Sequence, residues 1–317
     1  MVLHVNRGEF VAGAAALVAA PYALARTGGR VVALVTADLE SYVAAVDLST
    51  GLVVKRIRTL AGPRAIERVG DVAVVAHTEH GAISLIDART LAVRDSVGGV
   101  TQPRYAASAR DGRHAFVTDS AARQLLVLDL VRAAIVARVD VGGPARHLSY
   151  EPSGRVVWVS LGNKAARVAA VDVATVARPR VVRRFAAPFL AHDVGFAAGR
   201  VWVTAGAAHE LVIYDGRGGA VRVAADAAPQ HVTFAGRLAF VTSGESGTMR
   251  VHDARTGRLL RTSRVPVGSY NVQEAEGRVL SPSLDRGTLC VADRLGRVTD
   301  RIQVARSSHD ACAVVTA

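Results

Sequence analysis

Short apolar runs alternate with polar turns along the chain from about residue 30 onwards. The runs are rich in Val, Ile, Leu and aromatic residues, as in HAFVT at 114–118 and RVVWVS at 155–160. No apolar run of helical length separates them, so the strands that they predict must pair antiparallel through hairpins. The pattern therefore predicts an all-β protein.

Two marks divide these strands at a fixed period. One is an apolar run that ends in Asp and leads into a turn, at Asp47, Asp87, Asp129, Asp172, Asp215, Asp253 and Asp293. The gaps between these aspartates are 40, 42, 43, 43, 38 and 40 residues. The other mark is Gly before a polar residue, at Gly29, Gly70, Gly112, Gly154, Gly199, Gly236 and Gly277. An Asp carboxylate can accept the backbone N–H two residues on, and Gly supplies positive φ, so both marks predict turns.

The two marks give four antiparallel strands in each of seven repeats, which is the plan of a seven-bladed β-propeller. The last stretch, SSHDACAVVTA at 307–317, begins like AHDVGF at 191–196 but has no second strand after it. A matching turn and strand lie at residues 28–36. We therefore predict that one blade is closed by pairing a strand at about 310–316 with strands at about 30–58.

Several strand motifs resemble those of a known propeller family. AFVTD at 115–119, VWVTA at 201–205 and AFVTS at 239–243 are similar to the Tyr-Val-Thr-Asn signature of the YVTN-repeat family, and SLID at 84–87 and LVLD at 126–129 are similar to its Ser-Val-Ile-Asp. The resemblance runs from about residue 30 to the end. It implies a YncE-like, WD40-like propeller of the quinoprotein-dehydrogenase-like group, and it identifies a fold rather than an activity.

The first 26 residues differ from the rest. Arg7 is followed by an apolar stretch from Phe10 to Ala25 that closes on Ala23-Leu24-Ala25, the outline of a secretory signal with its cleavage site. We predict an exported protein, periplasmic, cell-surface or extracellular, with the propeller at 27–317. The alternative is an apolar N-terminal segment that stays attached to a cytoplasmic protein. No segment of the mature chain is apolar enough to span a bilayer.

The distribution of charge along the chain bears on which class of partner the protein binds. The net charge is +12, but Lys55 and Lys164 are the only lysines, and the arginines are spread along the chain without a run of like charges. This distribution argues against a nucleic-acid partner.

Cys290 and Cys312 lie in apolar runs without metal-type spacing, which predicts buried free thiols. We expect a monomer.

Candidate chemistry falls where each blade begins. In a propeller the innermost strands surround a central channel, and the connections between blades deliver side chains to one mouth of it. Aligned by repeat, these connections carry the pairs Arg64-Ala65, Arg104-Tyr105, Arg146-His147, His192-Asp193, Gln230-His231, Tyr270-Asn271 and His309-Asp310. Four of the ten histidines fall in this narrow register.

Imidazole, guanidinium and carboxylate groups in one ring suit charge-assisted hydrogen bonds to a bound molecule. We predict a binding module for a small polar or anionic ligand, or for a partner protein, with no resident cofactor. Its ligand-binding residues would be Arg64, Arg104, Tyr105, Arg146, His147, His192, Asp193, His231, Asn271, His309 and Asp310. The plainer interpretation is polar lining of a water-filled channel.

Three alternatives stay open. A divalent metal ion would be held by His192, His231 and His309. A metal-assisted lyase, lactonase or other hydrolase would use His192-Asp193 or His309-Asp310 as its catalytic residues. An interaction scaffold would use the outer edges of the blades.

Two further positions carry structural predictions. His77 and His80 follow a second strand in a turn, where we expect them to be exposed to solvent. Trp158 and Trp202 occupy equivalent strand positions in neighbouring repeats, which predicts packing between blades.

Overall fold

The computed structural model describes residues 29–162, 165–215 and 219–316. In these ranges, seven four-stranded antiparallel sheets form the blades of a ring, so the predicted all-β seven-bladed propeller is confirmed. The signal segment predicted at 1–26 lies outside the described residues. In the described part of the chain, no helix is long and apolar enough to cross a membrane.

Each blade is numbered by the order in which the chain enters it, and its strands run from the innermost to the outermost except where noted. Blade 1 contains β1 (Val31–Ala37), β2 (Tyr42–Asp47) and β3 (Leu52–Arg58). Blade 2 contains β4 (Ala65–Val69), β5 (Val72–His77), β6 (Ala82–Asp87) and β7 (Ala92–Val97). Blade 3 contains β8 (Pro103–Ser108), β9 (His114–Asp119), β10 (Gln124–Asp129) and β11 (Ala134–Asp140). Blade 4 contains β12 (Leu148–Tyr150), β13 (Val156–Ser160), β14 (Arg167–Asp172) and β15 (Arg180–Ala186).

The remaining blades repeat this plan. Blade 5 contains β16 (Ala191–Ala197), β17 (Arg200–Ala205), β18 (Glu210–Tyr214) and β19 (Ala220–Ala224). Blade 6 contains β20 (His231–Ala235), β21 (Leu238–Ser243), β22 (Thr248–Asp253) and β23 (Leu259–Arg264). Blade 7 contains β24 (Gln273–Ala275), β25 (Arg278–Pro282), β26 (Thr288–Ala292) and β27 (Val298–Gln303). The last strand, β28 (Ser308–Val315), is the innermost strand of blade 1.

Blade 1 is therefore built from both ends of the described chain, as predicted. Its strand order is β28-β1-β2-β3, and β28 pairs antiparallel with β1 from Val31 opposite Val315 to Ala37 opposite Ser308. The strand begins two residues before the predicted position. A Cβ atom on Gly29 would lie 2.1 Å from the carbonyl oxygen of Thr316, so this close approach of the two ends requires glycine.

The two repeating marks form the turns that the sequence predicts. The Asp carboxylate accepts the N–H two residues on in six blades, at 2.8 to 3.2 Å, from Ser49, Arg89, Val131, Ala174, Arg255 and Leu295. Asp215 instead accepts the N–H of Gly219 at 2.9 Å. The marked glycines other than Gly29 all have positive φ.

The blades hold together through apolar side chains between neighbouring sheets. Leu34 and Val43 of blade 1, for example, share one cluster with Ile66 and Val75 of blade 2. The second and third strands of each blade are mostly buried, whereas outer strands such as β3 and β19 are mostly exposed. This burial pattern places the apolar core in a ring around the channel.

The structure also tests the predictions for the cysteines, the tryptophans and His77. Cys290 and Cys312 are buried free thiols, as predicted. Trp202 is fully buried and packs against Phe234 of the next blade, and the partly buried Trp158 packs against a cluster that contains Val201 of the next blade, so the predicted packing between blades is confirmed for both. The predicted exposure of His77 is wrong: this side chain is completely buried, and its Nε2 lies 2.9 Å from the Ser84 hydroxyl.

Candidate functional site

Two consecutive residues stand at or near the start of each innermost strand, and we call the seven first residues and the seven second residues the first and second layers. The first layer, at the mouth where each blade begins, contains Arg64, Arg104, Arg146, His192, Gln230, Tyr270 and His309. The second layer, one residue deeper, contains Ala65, Tyr105, His147, Asp193, His231, Asn271 and Asp310. The site is therefore assembled from all seven blades, and each blade contributes through the same point of its fold.

Hydroxyl groups fix the spacing between neighbouring blades at this level. The Thr118 hydroxyl, in the second strand of blade 3, accepts the N–H of Tyr105 and donates to the carbonyl of Arg146 in blade 4. Hydroxyls at the equivalent position donate in the same way across four other blade junctions, from Thr36, Ser160, Thr204 and Thr242. Four Thr hydroxyls and one Ser hydroxyl thus tie five of the seven blades to the mouth residue of the next.

Two buried carboxylates make a second kind of tie. Asp193 accepts the N–H of Val194 at 2.7 Å and the N–H of Val232, in the next blade, at 2.9 Å. Asp310 accepts the N–H of Ala311 at 2.9 Å and that of Ile66, again in the next blade, at 3.0 Å. Both side chains therefore have a positioning role at a blade junction, whatever else they do.

Three histidines from successive blades converge on one point. His147, His192 and His231 are 2%, 3% and 7% exposed, and each offers a ring nitrogen within 4.8 Å of those of the other two. The ring centroids of His147 and His231 lie 4.2 Å apart, and those of His147 and His192 lie 5.0 Å apart. The ring of Tyr105 covers one side of the group, with its centroid 3.8 Å from that of His147. We call these three residues the histidine triad.

The hydrogen bonds of His147 define which of its nitrogens is available. Its Nδ1 lies 2.6 Å from the carbonyl oxygen of His192, which can only accept, so Nδ1 carries the proton. In the neutral ring Nε2 is then a lone-pair acceptor. This Nε2 is buried and has no hydrogen-bond partner among the described residues. An unpaired buried lone pair beside two other imidazoles marks a position where a ligand is expected.

The surroundings keep all four channel histidines neutral. Burial, the largest cause, lowers the pKa of His147, His192, His231 and His309 well below the usual value. The positive charge of Arg146 lowers the pKa of His192 and His231 further, because it opposes a second positive charge nearby. At neutral pH each of these rings is therefore uncharged, with one protonated nitrogen and one nitrogen that carries a lone pair.

Nearby acidic groups show the opposite shift. Burial raises the pKa of Asp193 and that of Asp310 to about 7. Burial, with a contribution from the charge of Asp310, raises the pKa of Glu67 to about 8. Tyr105 stays a neutral phenol, because burial raises its pKa to about 12. The site thus combines neutral imidazoles with carboxyl groups that titrate near physiological pH.

A cavity of about 380 Å³ leads to the triad from the far end of the channel. It begins at Tyr105, His147 and His231 and follows the innermost strands away from the mouth. Glu67 lines it and accepts a hydrogen bond from Gln273 at 3.2 Å. The arginines do not line this cavity. They lie on the mouth side, where Arg64 pairs with Asp38 at 3.2 Å.

The structure brings some of the predicted site residues together and places others apart from them. One group contains Tyr105, His147, His192 and His231. His309 lies outside this group, and its Nδ1 is 2.9 Å from the carbonyl oxygen of Arg64. Asn271 donates to the carbonyl of His309 at 2.8 Å. The metal set expected from the sequence was His192, His231 and His309, whereas among the described residues the converging set has His147 in place of His309.

Sequence reasoning missed Glu67 and Gln273. Both lie two residues beyond the layer that the alignment selected, Glu67 after Ala65 and Gln273 after Asn271. Successive side chains of a strand point to opposite faces, so every second residue after a channel residue returns to the channel. Extending the alignment by that period would have found both residues.

Comparisons with known proteins agree with this architecture. The sequence model described as YNCE-like beta-propeller matches residues 14–151. No curated protein sequence matches the chain. Apo AztD from Citrobacter koseri is similar in structure with a TM-score of 0.71 and 11% identity, over 90% of this chain and 98% of that one.

Two other solved structures show the same similarity. A functionally unknown protein from Desulfotomaculum acetoxidans has a TM-score of 0.75 and 10% identity, over 90% of this chain and 98% of its own. Hydrazine synthase from Kuenenia stuttgartiensis has a TM-score of 0.69 and 15% identity, over 80% of this chain and 89% of the matched one. Similarity at such low identity establishes the fold alone. The chain is a seven-bladed β-propeller, and its sequence matches the YNCE-like propeller model over less than half of its length.

Proposed function

We propose that this propeller is a binding module that holds a divalent transition-metal ion on its axis through His147, His192 and His231. The observation that carries the proposal is the orientation of His147. Its Nδ1–H is held by a backbone carbonyl, its buried Nε2 has no partner among the described residues, and one of its ring nitrogens lies within 4.8 Å of a nitrogen of each of the other two rings. Metal-bound histidines are oriented in this way, because the second nitrogen donates to a fixed acceptor.

The donor set indicates the class of ion. Three imidazole nitrogens suit Zn²⁺ and its neighbours, Cu²⁺, Ni²⁺ and Co²⁺, better than Ca²⁺ or Mg²⁺, which prefer oxygen. Tetrahedral Zn²⁺ with Zn–N bonds of about 2.0 Å separates its donors by roughly 3.3 Å. The three rings must therefore turn inwards by about an ångström to bind it.

Some charges around the triad disfavour a bound cation and others favour it. The positive charge of Arg146 repels a bound cation, and burial disfavours any charge that no partner neutralises. Asp193 compensates, since its carboxylate lies 3.6 Å from Nδ1 of His231. A bound cation would favour the ionised form of Asp193 and so complete a carboxylate–histidine–metal arrangement.

Three protein ligands leave a fourth position on the cavity side. That position, beside a cavity of about 380 Å³, is where a small polar molecule would reach the ion. The polar-ligand function expected from the sequence is thereby combined with the metal site, and the cavity supplies the route by which both would enter.

Metal titration tests the proposal. Metal-free protein is titrated with Zn²⁺ by calorimetry and with Co²⁺ by absorption spectroscopy, which reports tetrahedral coordination. We expect one ion per chain, with binding weakened at least tenfold in His147→Ala and in His231→Ala. The solvent-exposed His80→Ala is the matched control. Equal binding by His147→Ala and the wild-type protein would refute the site.

A hydrolytic function is the second candidate, favoured by the carboxyl pKa values near 7 at Asp193 and Asp310. A metal-bound water at the fourth position would be the nucleophile, and Asp193 would accept its proton. The test is turnover of lactones and esters by Zn²⁺-loaded protein. Zinc-dependent turnover that is lost in Asp193→Asn, with zinc still bound, would support it, and its absence would leave a binder.

A further inference from the structure

A second charged site lies between blades 3 and 4, on the mouth side of the channel. A cleft of about 460 Å³ opens there, lined by Gln102, Arg104, Ser120, Ala121, Arg123, Pro144, Arg146 and Gly162. Three of these eight residues are arginines and none is acidic. Two of the arginines were assigned to the channel mouth by sequence, whereas Arg123 comes from the turn before β10 and was not selected at all.

The charges of Asp38 and Asp193 act on Arg104 and Arg146 respectively, but neither acid lines the cleft. Within residues 29–162, 165–215 and 219–316, no carboxylate forms an ion pair with Arg104, Arg123 or Arg146. The Nε of Arg146 is buried and has no hydrogen-bond partner there. Buried guanidinium donors without a partner carry a desolvation cost that an anion would relieve.

Mutual repulsion supports the same conclusion. Burial lowers the pKa of Arg104 to about 10, and the next cause is the positive charge of Arg146. Burial also lowers the pKa of Arg146. Like charges gathered at a partly buried site are retained at a cost in free energy, which a bound anion offsets.

The walls of the cleft are fixed by hydrogen bonds. The buried carboxylate of Asp119 accepts the N–H groups of Thr101, Gln102 and Ala122, so its charge is used to hold the backbone of blade 3. The Ser120 hydroxyl donates to the carbonyl of Ala145 at 2.5 Å and so joins blade 3 to blade 4. The arginines therefore extend from a rigid frame, which reduces the entropy lost on binding.

We propose that this cleft binds a small oxyanion that carries at least two negative charges. Phosphate groups and polycarboxylates share this chemistry, and both accept paired N–H donors from guanidinium. The inference does not rest on the metal site, because the arginines of the cleft do not line the cavity that leads to the triad.

Calorimetry on metal-free protein at constant ionic strength tests the inference, with inorganic phosphate in one arm and citrate in the other. We expect saturable binding of one probe per chain, which identifies the oxyanion class. Arg104→Gln and Arg146→Gln should weaken that binding at least tenfold, and Arg104→Lys, which keeps the charge without the planar fork, should weaken it less.

Two controls separate this site from others. Arg255→Gln removes the same charge from an exposed turn of blade 6 and should leave the affinity unchanged. His147→Ala should also leave it unchanged, even if it abolishes metal binding. Absence of saturable binding of both probes by the wild-type protein, or equal losses in Arg255→Gln and Arg146→Gln, would overturn the inference.

Discussion

The Nδ1 atom of His147 lies 2.6 Å from the backbone carbonyl oxygen of His192, so a side chain of blade 4 is oriented by the main chain of blade 5. The Ser160 hydroxyl donates to the same carbonyl at 2.8 Å. Both lone-pair directions of this oxygen are thus used between blades. The geometry of the triad depends on the packing of whole blades, and changes at a blade junction should alter it.

Replacing Thr118 tests the hydroxyl ties. Thr118→Val keeps the shape of the side chain but leaves the partly buried carbonyl of Arg146 without its donor. We expect the free energy of unfolding to fall by about 1 to 3 kcal/mol, measured by urea denaturation. Thr175→Val, in an exposed turn of blade 4, is the control. A change in Thr118→Val no larger than in this control would contradict the assigned role.

Removing residues 308–317 tests ring closure. This deletion takes away β28 and leaves the β1 edge of blade 1 unpaired, so we expect loss of the cooperative thermal transition and aggregation. Deleting residues 1–26 removes no described strand and should leave the melting temperature nearly unchanged. A truncated protein that melts cooperatively and stays monomeric would show that the ring does not need its last strand.

Glu67 should make stability fall as pH rises. Its pKa is about 8 in the folded protein, above the ordinary value of 4.5, so the folded state binds more protons between these values. Stability from this group is complete below pH 4.5 and is lost as pH rises towards 8. Glu67→Gln should match the wild type near pH 5 and exceed it near pH 8.5 by on the order of 1–2 kcal/mol.

Denaturation of both proteins across this pH range provides the measurement. The exposed Glu245→Gln serves as the control, because it removes the same charge from a turn. The lowered histidine pKa values act with the opposite sign and weaken the fold only as pH falls below about 6.5. A constant difference between Glu67→Gln and wild type at all pH values would contradict the prediction.

Arg146→Gln should strengthen metal binding. A unit charge several ångströms from a cation contributes on the order of 1 kcal/mol or more at an effective dielectric constant near 20. We expect about tenfold tighter Zn²⁺ binding in buffer free of polyvalent anions. The pKa of His192 and of His231, measured by NMR, should rise in the same variant. Weaker zinc binding in this variant would argue against the proposed charge balance.

The fold was predictable because its signals are local and repeated. Asp47 and its six counterparts mark turns by their own side-chain chemistry, and the apolar runs between them leave no alternative to hairpins. Even the closing strand followed from comparing residues 307–317 with 191–196. Such patterns depend on neighbours in sequence, which the sequence displays directly.

For the site, the sequence predicted only which position of each repeat supplies the channel residues. Aligned connections identified His147, His192 and His231 as channel residues, but not that these three rings meet while His309 does not. That outcome depends on side-chain rotamers and on contacts such as His147 with His192. The burial of His77, by contrast, was missed because the sequence pattern assigned it to a turn, whereas it is the last residue of β5 and contacts the Ser84 hydroxyl of the neighbouring strand.

The pairing of Val31 with Val315 also bears on how the protein is made. On the ribosome, β1 emerges long before its partner β28, so the ring stays open until β28 has been synthesised. Contacts this distant in sequence form slowly, and an unclosed ring exposes strand edges that can join other chains. Nascent chains interrupted before β28 should therefore be recognised by chaperones as incomplete, whatever the stability of blades 2 to 7.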